Sequence, residues 1–134
     1  MIQALTRLSW FIVQDTDELL LKKFKLTRRQ FILLDFFYKC PNLNQTQISK
    51  VCRETKSSIT QKINYLENKN WVKRNHKNKK ECLITLTDIG RNLHFDISES
   101  LSIQEQKLYF GLNQFERQKI QIIIEQINNN LGYE

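Results

Sequence analysis

Pro41 is the only proline in this chain, and Gly90, Gly111 and Gly132 are its only glycines. With so few residues able to interrupt a helix or supply a turn, long helices must dominate. The apolar spacing agrees. Ile2, Leu5, Leu8, Ile12, Leu19 and Phe24 recur mostly at three- and four-residue intervals, with Trp10, Phe11, Leu20 and Leu21 widening the face, which predicts one long helix over residues 2 to about 23. Thr27 with Gln30 three residues later is a capping-box pattern opening a second helix through Phe31, Leu34 and Tyr38, which Pro41 stops near Lys39 or Cys40. Asn44 with Gln47 opens a shorter third helix with Ile48 and Val51 facing inward and an end around Arg53.

Thr55 caps a fourth helix. Ile59, Ile63 and Leu66 make its buried stripe, so Ser57, Gln61, Asn64 and Asn68 fall on the opposite face, flanked by Thr60 and Tyr65. Asn70 follows where a left-handed residue is expected. Residues 71–75 and 81–87 then read as two strands, with Cys82, Ile84 and Leu86 alternating against Leu83 and Thr85. Thr87 caps a long helix bearing Asp88 in its first turn and Ile89, Leu93, Ile97, Leu101 and Leu108 along one face. After Gly111, Asn113 with Glu116 opens a last helix with Phe115, Ile120, Ile123, Ile124, Ile127 and Leu131 as its apolar positions.

Charge says where this scaffold meets a partner. Between Thr55 and Lys80 stand eight basic residues (Lys56, Lys62, Lys69, Lys73, Arg74, Lys77, Lys79, Lys80) against Glu67 alone, a surplus of seven that equals the net charge of the whole chain. Confined charge of this kind is the footprint of a polyanion. Helix, tight connection and helix with a polar outer face form a helix-turn-helix, whose second helix enters the major groove, where amides and hydroxyls read base edges. The hairpin, tipped by His76 to Lys80, is a wing reaching a neighbouring minor groove or the backbone.

Other classes lack their residues. The chain fits one domain, with 40% hydrophobic residues for a core. It shows neither a signal-peptide pattern nor an apolar run of about 18 residues, so no membrane span is expected. Three scattered cysteines suit a reducing cytosol, and neither they nor the two histidines have metal-ligand spacing, so no metal or cofactor is expected. Cys52 and Cys82 occupy core-patterned positions and Cys40 alone stands at a helix end before a loop; no thiol is assigned as a sensor, since sensing needs exposure and a lowered pKa. An enzyme would need a nucleophile with a base, paired carboxylates or a phosphate-cradling glycine loop, and none is present.

Leu26-Thr27 with Gln30, then Ile48, Lys56-Ser57-Ser58-Ile59-Thr60, Leu66-Glu67-Asn68-Lys69, Val72 with Arg74, and Leu86-Thr87-Asp88-Ile89-Gly90 together resemble the multiple-antibiotic-resistance regulator (MarR) family. The resemblance implies a mainly α fold with a small β-hairpin wing. Residues 26–87 would form the winged helix-turn-helix, and 1–25 and 88–134 the dimerisation helices of a single domain. It implies a cytoplasmic transcriptional regulator, a repressor in the first instance, that binds near-palindromic double-stranded DNA as a homodimer and in many members releases it on binding a small-molecule effector. Carried onto this sequence, it makes Ser57, Ser58, Thr60, Gln61 and Lys62 the recognition-helix contacts and His76, Lys77, Asn78, Lys79 and Lys80 those of the wing, to which the charge and helix-face reading adds Lys56, Asn64 and Tyr65 on the helix and Arg74 on the wing. The chain departs from the family where Asn78-Lys79-Lys80 replaces an aspartate and two arginines, which favours phosphate anchoring over sequence reading by the wing, and where Asn70 replaces a glycine. The effector site is not assigned; Trp10, Phe11, Phe36 and Phe37 are read as core. The alternative employment is a winged-helix module for replication or plasmid control, or one for protein contact.

The first and the last two helices are more apolar than a small winged-helix core can cover. They are expected to interlock with a second copy, setting the two recognition helices about one DNA turn, roughly 34 Å, apart.

Overall fold

The computed structural model describes residues 1–76 and 82–132. Helix α1 (Ile2–Leu19) runs into a π-helical turn over Leu20–Phe24, closed by Lys25 in the left-handed region at φ 59°. The expected single helix thus changes pitch at its end. The wider turn lets the Leu20 carbonyl accept from Leu26 N at 3.2 Å, and both leucines are fully buried. Helices α2 (Arg28–Lys39) and α3 (Gln45–Cys52) follow, each with both halves of the capping box in place, Thr27 with Gln30 and Asn44 with Gln47. In α4 (Lys56–Asn68), the Thr55 hydroxyl accepts from Ser58 N at 3.1 Å. Asn70 takes φ 60° as expected of the residue after this helix.

Strands β2 (Val72–His76) and β3 (Cys82–Leu86) pair antiparallel, and a two-residue strand β1 (Leu43–Asn44), not anticipated from the sequence, pairs along the other edge of β3. Helix α5 (Asp88–Leu108) and helix α6 (Gln114–Asn130) complete the chain, the latter opened by the Asn113–Glu116 capping box.

Two compact units result, Met1–Glu99 and Ser100–Glu134. The division falls inside α5, between Glu99 and Ser100. In the first unit, Leu33, Leu34 and Phe37 from α2, Ile48 from α3, Ile59, Ile63 and Leu66 from α4, Val72, Ile84 and Leu86 from the sheet, and Ile97 from α5 form the core. Each such side chain withdraws about 1.5–3 kcal/mol of apolar surface from water, so the α4 stripe alone fixes which face of that helix looks outward.

Several residues expected inside are not. Val51 is 53% exposed, because the eight-residue α3 buries Ile48 alone and ends one turn later. Ile89 is exposed at the start of α5, and Trp10 and Phe11 are exposed on α1, where they stack edge to face at 5.1 Å instead of entering the core. No residue of α1 or of α6 is buried. In the second unit, Phe110, Phe115, Ile122 and Leu131 stand largely in solvent, and Arg117 braces the turn before α6 by donating to the carbonyls of Leu112 (3.0 Å) and Tyr109 (3.2 Å).

Candidate nucleic-acid interface

The polar face of α4 is set by what lies beneath it and what holds its ends. With Ile59, Ile63 and Leu66 buried, Lys56, Ser57, Gln61 and Asn64 are exposed, and Ser58, Thr60, Lys62 and Tyr65 are half-buried. The exposed four place one cation beside a row of hydroxyl and amide groups. That row can donate and accept toward base edges.

Each half-buried residue is already engaged. Gln45, in the first turn of α3, donates through Nε2 to the Thr60 hydroxyl and to the Lys56 carbonyl (3.2 Å), and Thr60 Oγ1 donates to the same carbonyl at 2.7 Å. Between the two helices the chain turns through Arg53, left-handed at φ 53°, and the Ser49 hydroxyl donates to the Glu54 carbonyl at 2.6 Å. The Glu54 carboxylate receives Lys62 Nζ and the Ser58 hydroxyl (2.8 Å), with Arg29 Nη1 at 3.7 Å. Hydrogen bonding from Lys62, outweighing burial, holds the Glu54 carboxyl below its ordinary value. At the far end of α4, the Tyr65 hydroxyl donates to the Lys25 carbonyl at 2.6 Å, and its ring meets Trp71 edge to face at 6.2 Å.

The wing is tied to α4 by Arg74. From β2 its guanidinium donates to Glu67 Oε1 (2.5 Å) and to Asn64 Oδ1 (2.7 Å), so the hairpin stem and α4 share one polar contact. His76 is exposed at the end of β2, paired in register with Cys82. Lys77, Asn78, Lys79 and Lys80 lie outside the described residues.

The base of the wing is joined to α5 by backbone. Thr87 N donates to the Trp71 carbonyl (3.0 Å), and the Thr87 hydroxyl donates to the Asn70 carbonyl (2.6 Å) while accepting from Gly90 N (3.0 Å). A Cβ on Gly90 would stand 2.0 Å from the Trp71 oxygen. One turn further, His94 is 8% exposed, its Nε2 2.8 Å from Asp35 Oδ1, its ring stacked on Tyr38 at 4.0 Å. Burial opposes charge on Asp35, yet Lys39 and His94 hold its carboxyl below the ordinary range. Sequence reading found neither this pair, 59 residues apart, nor the Glu54 network. The latter had a legible trace, since Glu54, Ser58 and Lys62 recur at intervals of four, with Glu54 just before the helix that carries the other two.

Cys40 is exposed and Cys52 and Cys82 are half-buried; burial pushes the Cys52 thiol up. Trp10 and Phe11 line a groove on α1 with Ile2 and Arg7, whereas Phe36 borders a separate depression with Val51 and Cys52. Among the described residues no group of three or more histidine, cysteine or acidic side chains is gathered as for a metal, and no helix is long and apolar enough to cross a membrane.

Comparison with known proteins bears on this geometry. Residues 24–80 match the model of the MarR family, a segment that holds α2, α3, α4 and β2. The fold is similar to that of MepR from Staphylococcus aureus, a transcription regulator of the multidrug efflux pump MepA, with TM-score 0.82, 22% identity and 96% of each chain covered. It is similar to that of Streptococcus pneumoniae FabT in complex with DNA, with TM-score 0.81 and 20% identity over 97% of this chain and 94% of that one. The apo form of E. coli MarR matches with TM-score 0.72 and 23% identity, covering 92% of this chain and 96% of its own.

Proposed function

We propose that this chain, whose residues 24–80 match the MarR family model, is a transcriptional regulator that binds double-stranded DNA, acting as a repressor and as a homodimer on a pseudo-palindromic site. The observation that supports it best is the exposed row of Ser57, Gln61 and Asn64 beside Lys56, on a helix whose opposite stripe is fully buried and whose flank is joined to the wing through Arg74. Such a row reads bases, while cations at the helix start and on the wing anchor phosphates. FabT, alike in fold, is seen bound to DNA.

The homodimer rests on uncovered apolar surface. Helices α1 and α6 contain no buried residue, and Leu8, Trp10, Ile123 and Ile127 are each at least 40% exposed, a burden relieved when a second copy covers them. The closed two-fold then spaces the recognition helices by about one DNA turn.

Duplex selected from random sequence, followed by salt-titrated binding, tests the function. The selected site should be pseudo-palindromic, be preferred over random duplex by about a thousandfold or more, and lose affinity with salt along a log-log slope of about −0.9 per phosphate neutralised. Equal affinity for selected and random duplex at every salt concentration would refute sequence-specific regulation. Sedimentation at micromolar concentration should show a dimer, and a monomer would refute the two-fold arrangement.

A further inference from the structure

Lys62 belongs to the basic window, yet its charge is not at the disposal of a phosphate. Its side chain is 15% exposed, as is that of Glu54. The ammonium is held by the Glu54 carboxylate and by the Ser58 hydroxyl at 2.9 Å, and Glu54 in turn takes Ser58 at 2.8 Å and stands 3.7 Å from Arg29 Nη1. The three-residue network lies across the start of α4, on residues that alternate with the exposed Ser57 and Gln61. For Lys62 to reach a phosphate it must leave a covered carboxylate with only the Ser58 hydroxyl and the more distant Arg29, which costs more than a single screened phosphate contact returns.

We propose that Glu54 is a positioning residue that withholds Lys62 from the DNA backbone, so that the protein neutralises one phosphate fewer than it would with Lys62 free. This rests on the DNA-binding reading and adds to it a device that weakens it on purpose. A cation on the recognition helix strengthens binding to every sequence alike, because phosphates are present everywhere. Glu54 removes that contribution beside the uncharged row while pinning the first turns of α4 through Ser58. A structural acid would tighten the helix; this one also lowers the dependence of binding on salt.

The salt slope separates these roles. In Glu54→Gln the side chain keeps its shape and its bond to Ser58 but no longer neutralises Lys62. The slope should steepen by about 0.9 on random duplex, and affinity there at 0.15 M salt should rise by up to about fivefold, the value of one more released counterion. In the double variant Glu54→Gln with Lys62→Met the covered pair is replaced by uncharged groups, a change folded proteins tolerate, and the slope should return to that of the parent. A Glu54→Gln slope that is unchanged or shallower would overturn the proposal. So would a double variant shallower than the parent by about 0.9, since Lys62 would then already touch a phosphate. If the parent protein binds no duplex even at low salt, the DNA-binding reading itself fails, an outcome distinct from either.

Discussion

Gly90 should resist replacement by alanine for a reason unrelated to backbone freedom. It lies in the first turn of α5, where intrinsic preference favours alanine over glycine by about 1 kcal/mol. The structure opposes that preference. An added Cβ would sit 2.0 Å from the Trp71 oxygen and 2.9 Å from its carbonyl carbon, both backbone atoms that cannot swing aside. Restoring an ordinary contact of about 3.5 Å means parting α5 from the base of the wing by more than about 1 Å. That parting strains the Thr87 N to Trp71 O bond of 3.0 Å, worth about 1 kcal/mol, on top of about 1–3 kcal/mol for overpacking. Set against the helical gain, Gly90→Ala should cost about 2 kcal/mol. Urea unfolding followed by circular dichroism, at one protein concentration for both forms, should show a lower midpoint with unchanged slope. Gly111→Ala is the contrast, since Gly111 has φ 82° and nothing within 4 Å of an added Cβ, so its cost of about 1–2 kcal/mol is conformational only. A Gly90→Ala protein as stable as the parent, or more so, would refute the close-approach argument.

Tyr65→Phe removes the hydroxyl bonded to the Lys25 carbonyl and should lower stability by about 1 kcal/mol without altering the salt slope of DNA binding; a shallower slope would instead make Tyr65 a phosphate contact. Gln61→Ala should cost about 1–3 kcal/mol of discrimination between selected and random duplex, measured by competition, and an untouched ratio would remove Gln61 from the readers. Lys79→Ala and Lys80→Ala should weaken binding to all sequences alike and flatten the salt slope by about 0.9 each; loss confined to the selected site would speak for sequence reading by the wing. Glu54 has its carboxyl lowered in the folded chain, so its stabilisation is present above the ordinary value of 4.5 and fades as pH falls through the lower folded value. The stability difference between the parent and Glu54→Gln, followed by urea unfolding from about pH 6 to pH 3, should therefore shrink on acidification, and a difference that grows would contradict the ion-pair assignment.

What could be read from the sequence was what is decided within one or two helical turns. The capping boxes at Thr27, Asn44 and Asn113 all form, because each closes over three residues and needs no distant partner. The stripe Ile59, Ile63 and Leu66 is buried for the same reason: its spacing alone selects a face. Reading failed where the outcome depends on residues far along the chain. Strand β1 exists only because β3 offers it an edge, and Leu43 and Asn44 have no strand pattern of their own. Val51, Ile89, Trp10 and Phe11 have the apolar character expected of a core, but periodicity says which side of a helix is apolar and not whether another element covers it. At the interface the uncharged row was legible, whereas the confinement of Lys62 was hidden in a charge count that treats every lysine as free.

The middle position of β3 makes the helix-turn-helix and the wing a single implement. Ile84 is paired with Leu43 on one side and Arg74 on the other, so the asparagine that starts α3 and the arginine that grips α4 hang from the same rail. Sliding that rail by one residue would mis-aim both arms together. Both pairings of β3 are made by residues 43–44, 72–76 and 82–86, so the angle between the arms is fixed by those residues alone.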